Sequence, residues 1–363
     1  MQVVEATRET RVSDVNGRPA YMLHAGRRYV LYDHEAAMGL RAGIIERRHT
    51  LDRALPPYAG EPLQHQRLLL PFIGRRGDAL VTGKLLQHFI RCHPNVTVDI
   101  ACRETAREIF ELFPPVGEIL EYPVSGHRLD VYDFHLSFED IENIQGAANM
   151  PLSQVFSRCL RIDPPASDVH IELAHDHDRQ LTIPDVQQPL AALHAGLPGD
   201  VRTYPWELLK SVAEKLLARD FAVVYFGHHD WDWQDDVTTS SRLYDFRGCT
   251  ATPKELASLL MQADVVLTND SFPMHLAGSL GRPTVTVFTA STPIAAQDYD
   301  VVHPAVSGFE CAPCYQTTGA CPMGHPSCLA HHAEPLQPSA LAELIAARWE
   351  SASRPSPVRS ARR

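Results

Sequence analysis

Apolar residues fall in two sets of short, almost unbroken runs, each followed by a segment with helical spacing. In the first set RLLLPFI (strand 68–73) leads into GRRGDALVTGKLLQHFIRC, NVTVDIAC leads into RETAREIFELF, and VGEILEYPV closes the series. In the second, PLAALHAG precedes PWELLKSVAEKLLARD, FAVVYFG precedes TPKELASLLMQA, DVVLT precedes PMHLAGSLG, and PTVTVFT follows. Strands that read as continuous apolar runs are buried on both faces, and regular alternation with helices predicts parallel sheets covered on each side. The pattern predicts α/β architecture with two Rossmann-like domains, residues 67–185 and 186–346, facing each other across an interdomain cleft. Ligands of such sheets bind at the carboxyl ends of the strands.

The chain ends differ from this pattern. Residues 1–66 have short extended runs at 20–23 and 29–32 beside turns at Asn16-Gly17 and Ala25-Gly26, and finish in the proline-bearing ALPPYAGEP. They predict a small β-rich extension and a linker. Residues 347–363 end in RPSPVRSARR, four arginines without an acid, which reads as a solvated basic tail or as a contact for an anionic surface.

Charge narrows the partners. A net charge of −11 argues against a general nucleic-acid binder, so anionic substrates need local basic groups. No apolar run approaches the roughly 18 residues of a membrane span, and the N-terminus shows no signal-peptide core. A cytoplasmic protein with at most peripheral membrane contact is expected; its oligomeric state stays open.

Chemistry-bearing residues gather where strands should end. In TNDSFPMHLAGSLGRP (268–283), Asp270 or Ser271 can cap a helix beginning at Pro273, whose N-terminus then suits a phosphate, with His275 as an added donor. A capped helix with a satisfied core histidine is the other reading. In GRRGDALVTGKLL, Gly74 and Gly77 free the backbone, and Asp78 is either a general base or the cap of a helix from Ala79. HAGLPGDVRTYPW offers Gly196 and Arg202, the latter a phosphate contact or a surface ion pair. In FGHHDWDWQDD, Asp230 or Asp232 can accept ribose hydroxyls and Trp231 or Trp233 can pack on a base, against a plain acidic loop. Cys311, Cys314, Cys321 and Cys328, spaced C-x2-C-x6-C-x6-C, suit a structural zinc or iron site with His325 as a spare ligand. HDHD at 175–178 reads as a solvated loop.

These motifs, in this order over residues 67–345, resemble glycosyltransferase family 9, the ADP-heptose:lipopolysaccharide heptosyltransferase group with the GT-B fold. ADVVLTNDSFPMHLAGSLGRPTVTVFTASTP is similar to the family's donor-phosphate signature, and residues 311–328 to a cysteine-rich stretch found in many members. The resemblance implies an inverting transferase, needing no metal for chemistry, that moves heptose from ADP-heptose to a hydroxyl of lipopolysaccharide core, another glycan or a protein. It implies Asp78 as base, Arg202 as a phosphate contact, and Asp270, Ser271 and His275 at the donor diphosphate, with Gly196 and Asp230 also on the donor side. Phe272 stands where many members have glycine, and residues 1–66 are not part of the usual lipopolysaccharide enzyme. A sugar-nucleotide epimerase and a non-catalytic assembly protein of the same fold are the alternatives.

Overall fold

The computed structural model describes residues 2–13, 19–47, 55–174, 181–184, 186–196, 201–227, 240–308, 310–314 and 333–353. The chain forms two compact units, Met1–Pro165 and Ala166–Arg363.

The first unit begins with strands β1 (Gln2–Ala6), β2 (Thr10–Ser13), β3 (Pro19–Leu23) and β4 (Arg28–Leu31), helix α1 (Asp33–Arg41) and strand β5 (Ile45–Arg47). β1 lies between β4 and β5 in an antiparallel sheet, while β2 and β3 pair as a hairpin. The extension is therefore β-rich, as its pattern predicts, but it also contains a helix. It is not a separate module: Val4, Leu23, Leu31 and Tyr32 share one core with Leu69, Ala101 and Tyr122 of the following α/β part.

That part comprises β6 (Arg67–Phe72), α2 (Arg76–Cys92), β7 (Thr97–Cys102), α3 (Glu104–Phe110), β8 (Ile119–Glu121), β9 (Phe134–His135) and α4 (Leu152–Leu160). The strand order is β8-β7-β6-β9, all parallel. Successive strands β6, β7 and β8 are laid down in one direction, and the chain then returns to place β9 on the other side of β6. The gap beside the end of β6 is therefore the topological switch point of this sheet, where ligands of open α/β sheets bind.

The second unit contains β10 (Leu190–His194), α5 (Trp206–Leu217), β11 (Ala222–Gly227), β12 (Leu243–Arg247), α6 (Pro253–Gln262), β13 (Val265–Asn269), α7 (Phe272–Ser279), β14 (Thr284–Phe288), β15 (Val302–Val306) and α8 (Pro338–Ser353). Its six parallel strands run β12-β11-β10-β13-β14-β15. β13 (VVLTN) and β14 (TVTVF) are buried along their whole length, which explains why both lack charged residues and are rich in β-branched ones. α6 starts with a reciprocal capping box, in which the Glu255 N–H donates to Thr252 Oγ1 at 3.2 Å and the Thr252 N–H to Glu255 Oε2 at 2.8 Å. The order reverses between β10 and β13, so the switch point of this sheet lies at the ends of those two strands.

Candidate active site

At the second switch point the two central strands are joined beyond their backbone ladder. His194, the last residue of β10, has its Nδ1 2.8 Å from Oδ1 of Asn269, the last residue of β13. The same oxygen accepts from Ser271 Oγ at 2.9 Å. Neither His194 nor Asn269 was among the residues that sequence reasoning selected. Their signal was present only as position: each is the last polar residue of an apolar run.

The loop after β10 turns at Gly196, in the left-handed region at φ 77°. Its return leg is tied to the neighbouring strand ends: Arg202 Nη1 donates to the Asp270 carbonyl at 2.8 Å, and Thr289 Oγ1 to the Val201 carbonyl at 3.1 Å. Tyr204 Oη donates to the Leu336 carbonyl at 2.6 Å, anchoring the entry to α5. The structure thus brings Gly196, Arg202, Asp270 and Ser271 to one edge, with Arg202 engaged by a backbone carbonyl of the next loop.

Two details differ from the sequence expectation. α7 begins at Phe272, not Pro273, and Ser271, at its N-cap, makes no side-chain cap bond. Its hydroxyl turns back to Asn269, because the backbone there is fully extended at φ −159°. His275 is buried in the first turn, with its Nδ1 3.1 Å from the Tyr299 hydroxyl. Burial holds the Tyr299 phenol above its ordinary range, so it remains protonated. That bond takes one imidazole nitrogen.

At the first switch point α2 begins at Arg76 rather than Ala79, which puts Gly77 and Asp78 inside its first turn. Asp78 Oδ2 accepts the N–H of Arg75, the N-cap residue, at 2.8 Å. Asp78 therefore does cap the helix through Oδ2, and the residue is half-buried. Gly74 is sterically required: a β-carbon there would lie 2.6 Å from the Phe72 ring and 3.0 Å from Asp78 Cβ.

Asp230, Cys321, Cys328, His325, the stretch 175–178 and residues 354–363 lie outside the described residues. Cys311 is exposed and Cys314 partly so. Among the described residues no group of three or more His, Cys, Asp or Glu side chains is placed to hold a metal ion, and no helix is long and apolar enough to cross a membrane.

Two parallel sheets, each with polar residues at its switch point, form a GT-B-like α/β fold. Residues 153–323 match the family described as glycosyltransferase family 9 (heptosyltransferase). That span includes Arg202, Asp270, Ser271 and His275; Asp78 lies outside it. No curated protein matches the sequence. Among solved structures, the dodecameric iron-containing heptosyltransferase TibC of enterotoxigenic E. coli H10407, in complex with ADP-D-β-D-heptose, is 13% identical with a TM-score of 0.59, over 97% of this chain and 92% of its own. E. coli ADP-heptose lps heptosyltransferase II is 15% identical with a TM-score of 0.55, over 79% of this chain and 100% of its own. A family 9 glycosyl transferase of Veillonella parvula DSM 2008 is 16% identical with a TM-score of 0.53, over 68% of this chain and 87% of its own. At these identities the solved structures speak for the fold.

Proposed function

We propose that the protein transfers a sugar, with inversion, from an ADP-linked heptose to the hydroxyl of a glycan acceptor. The observation that carries this reading is the Arg202–Asp270 contact beside the His194–Asn269 bridge, which sets a guanidinium and the start of α7 together at the switch point of the second sheet. Such an edge suits the diphosphate of a nucleotide-sugar. The heptose and the adenosine are taken from the ligand and names of the structural neighbours TibC and heptosyltransferase II.

In the proposed reaction Asp78 removes the acceptor hydroxyl proton as that oxygen bonds to the anomeric carbon. The bond from that carbon to the diphosphate breaks, and ADP leaves with the electron pair. Asp78 Oδ2 is held by the Arg75 N–H, so Oδ1 is the oxygen that takes the proton. Arg202 and the Phe272 N–H meet the growing charge on the leaving diphosphate.

The test is a thermal-shift panel of ADP, UDP, GDP, CMP and ADP-heptose on wild type and Arg202→Ala. A ligand at 100 times its dissociation constant adds about 2.7 kcal/mol of stability. Stabilisation by ADP species alone, lost in the variant, is expected. No shift with any nucleotide would move the reading to a non-catalytic binding protein. Arg202 is preferred to His275 for this test, because truncating the buried His275 leaves a cavity and removes the contact with the Tyr299 hydroxyl.

A further inference from the structure

The N-terminal extension reaches the strand end that leads to Asp78. Along β6, the carbonyls of Arg67 and Leu69 accept from the N–H groups of Asp133 and Leu136, at 2.9 and 2.8 Å. Backbone alternation puts the Pro71 carbonyl on the same side, two residues further on, where β9 has already ended at His135. An unpaired buried carbonyl would be costly there. The Tyr32 hydroxyl fills the position, donating to the Pro71 carbonyl at 2.5 Å.

Tyr32 is itself fixed. Its N–H donates to the Tyr122 hydroxyl at 3.2 Å, and the Tyr122 hydroxyl donates to Glu35 Oε2. Glu35, on α1, also accepts from the Tyr21 hydroxyl at 3.2 Å and pairs with Arg103 Nη2 at 3.4 Å. Burial, then the charges of Glu139 and Glu35, holds the Tyr32 phenol far above its ordinary range, so it stays a donor across neutral pH. The residues after Pro71 are packed as well: Ile73 lies against the core of the extension, and the Phe72 ring and Asp78 Cβ both crowd Gly74, at 2.6 and 3.0 Å from where its β-carbon would stand.

We infer that Tyr32 is a positioning residue for Asp78, through which the N-terminal extension fixes the end of β6 and the first turn of α2. The inference rests on the reading of Asp78 as the base. It gives residues 1–47 a part in the transfer reaction without requiring them to touch substrate.

The experiment uses Tyr32→Phe in the full chain, which removes one hydroxyl and keeps the ring. Amide hydrogen exchange and the release of ADP from ADP-heptose are measured, with Asp78→Asn alongside. The peptide covering residues 71–80 should exchange about tenfold faster, with peptides of β10 and β13 unchanged. The kcat for ADP release should fall about tenfold, with the KM for ADP-heptose held, since a small misplacement of a base reduces turnover and not donor binding. Unchanged exchange in 71–80, or a KM that rises while kcat holds, would overturn the inference. If Tyr32→Phe loosens the segment but Asp78→Asn keeps full activity, the clamp stands as structure and the base reading falls. If Asp78→Asn is inactive and Tyr32→Phe behaves as wild type, the base reading stands and this inference falls.

Discussion

Replacing Gly196 by alanine tests whether the donor-side loop has the geometry described. Gly196 is buried and sits at φ 77°, a region that costs a residue with a β-carbon roughly 1–2 kcal/mol. The added carbon would also lie 2.5 Å from Thr203 Cγ2 and 2.7 Å from Thr203 Oγ1, so Thr203 or the loop must move. Overpacking of this kind adds about 1–3 kcal/mol, for a total near 2–5 kcal/mol against a stability of roughly 5–15 kcal/mol for a folded domain. Thr203→Ala removes both clashing atoms and leaves only its own Cβ, 3.0 Å away. Urea melts of wild type, Gly196→Ala, Thr203→Ala and the double variant form a cycle in which the clash appears as a coupling of about 1–3 kcal/mol. The double variant keeps the backbone penalty, because alanine still has to adopt the positive φ. The affinity for ADP should fall at least tenfold in Gly196→Ala and recover in part in the double variant. A Gly196→Ala protein within about 0.5 kcal/mol of wild type, or a cycle without coupling, would refute the loop geometry.

Asp78→Asn keeps an oxygen for the Arg75 N–H, so its melting midpoint should stay close to wild type while the transfer rate falls by about 10²- to 10⁴-fold, read in a product-release assay. Asp99→Ala should destabilise the first unit by about 3–5 kcal/mol in a denaturant melt, because the fully buried carboxylate pairs with Arg67 at 2.6 Å and also accepts from Tyr132 Oη and the Glu118 N–H. His135 is buried with Nδ1 3.0 Å from the Leu55 carbonyl, and burial lowers its pKa below the ordinary value of 6.5. The unfolded chain then binds the proton first, so this group's contribution is complete above about pH 6.5 and is lost as pH falls toward the lower folded pKa. Melting midpoints from pH 7 to 5 should decline less steeply in His135→Asn than in wild type.

The parts of the fold legible in the sequence are those whose burial is simple. β10, β11, β13 and β14 are buried along nearly all of their length, so each is an uncharged run rich in apolar or β-branched residues. β12, an edge strand of sequence LYDFR, carries Asp245 and Arg247; Arg247 Nε donates to Asp245 Oδ1 at 2.7 Å while the guanidinium stacks over Trp206 at 4.8 Å. Charged residues paired within an edge strand break the apolar run that marks the buried strands. β9 is two residues long and meets β6 at Leu68 and Leu69, too short for any pattern. α1 was hidden among strands because it is short and contains Gly39, where a β-carbon would lie 2.7 Å from Ile45 Cδ1. The site shows the same division. Residue type and position at a strand exit or shortly before a helix mark Asp78, Arg202, Asp270 and Ser271 as candidates, whereas the His194–Asn269 bridge spans 75 positions and exists only because β10 and β13 are neighbours.

That bridge bears on which group would hold the donor charge. The start of α7 offers fewer N–H groups than a typical helix end: Pro273 has none, and the Met274 N–H is taken by the Ser271 carbonyl at 3.0 Å, which leaves the Phe272 N–H in the first three positions. A helix end contributes about 0.3–1 kcal/mol near the surface, whereas a charge-assisted hydrogen bond contributes roughly 1.5–3 kcal/mol. Arg202 should therefore outweigh the helix. Its placement depends on the Asp270 carbonyl, and the loop bearing that carbonyl is held in turn by Ser271 and His194 converging on Asn269 Oδ1. Under the proposed function Ser271 and His194 would serve the diphosphate indirectly: they fix the chain direction at the end of β13, and that direction decides where the guanidinium can bind. Phe272 then leaves the electrostatics of the edge in place, because its N–H is kept and only its side chain differs from glycine.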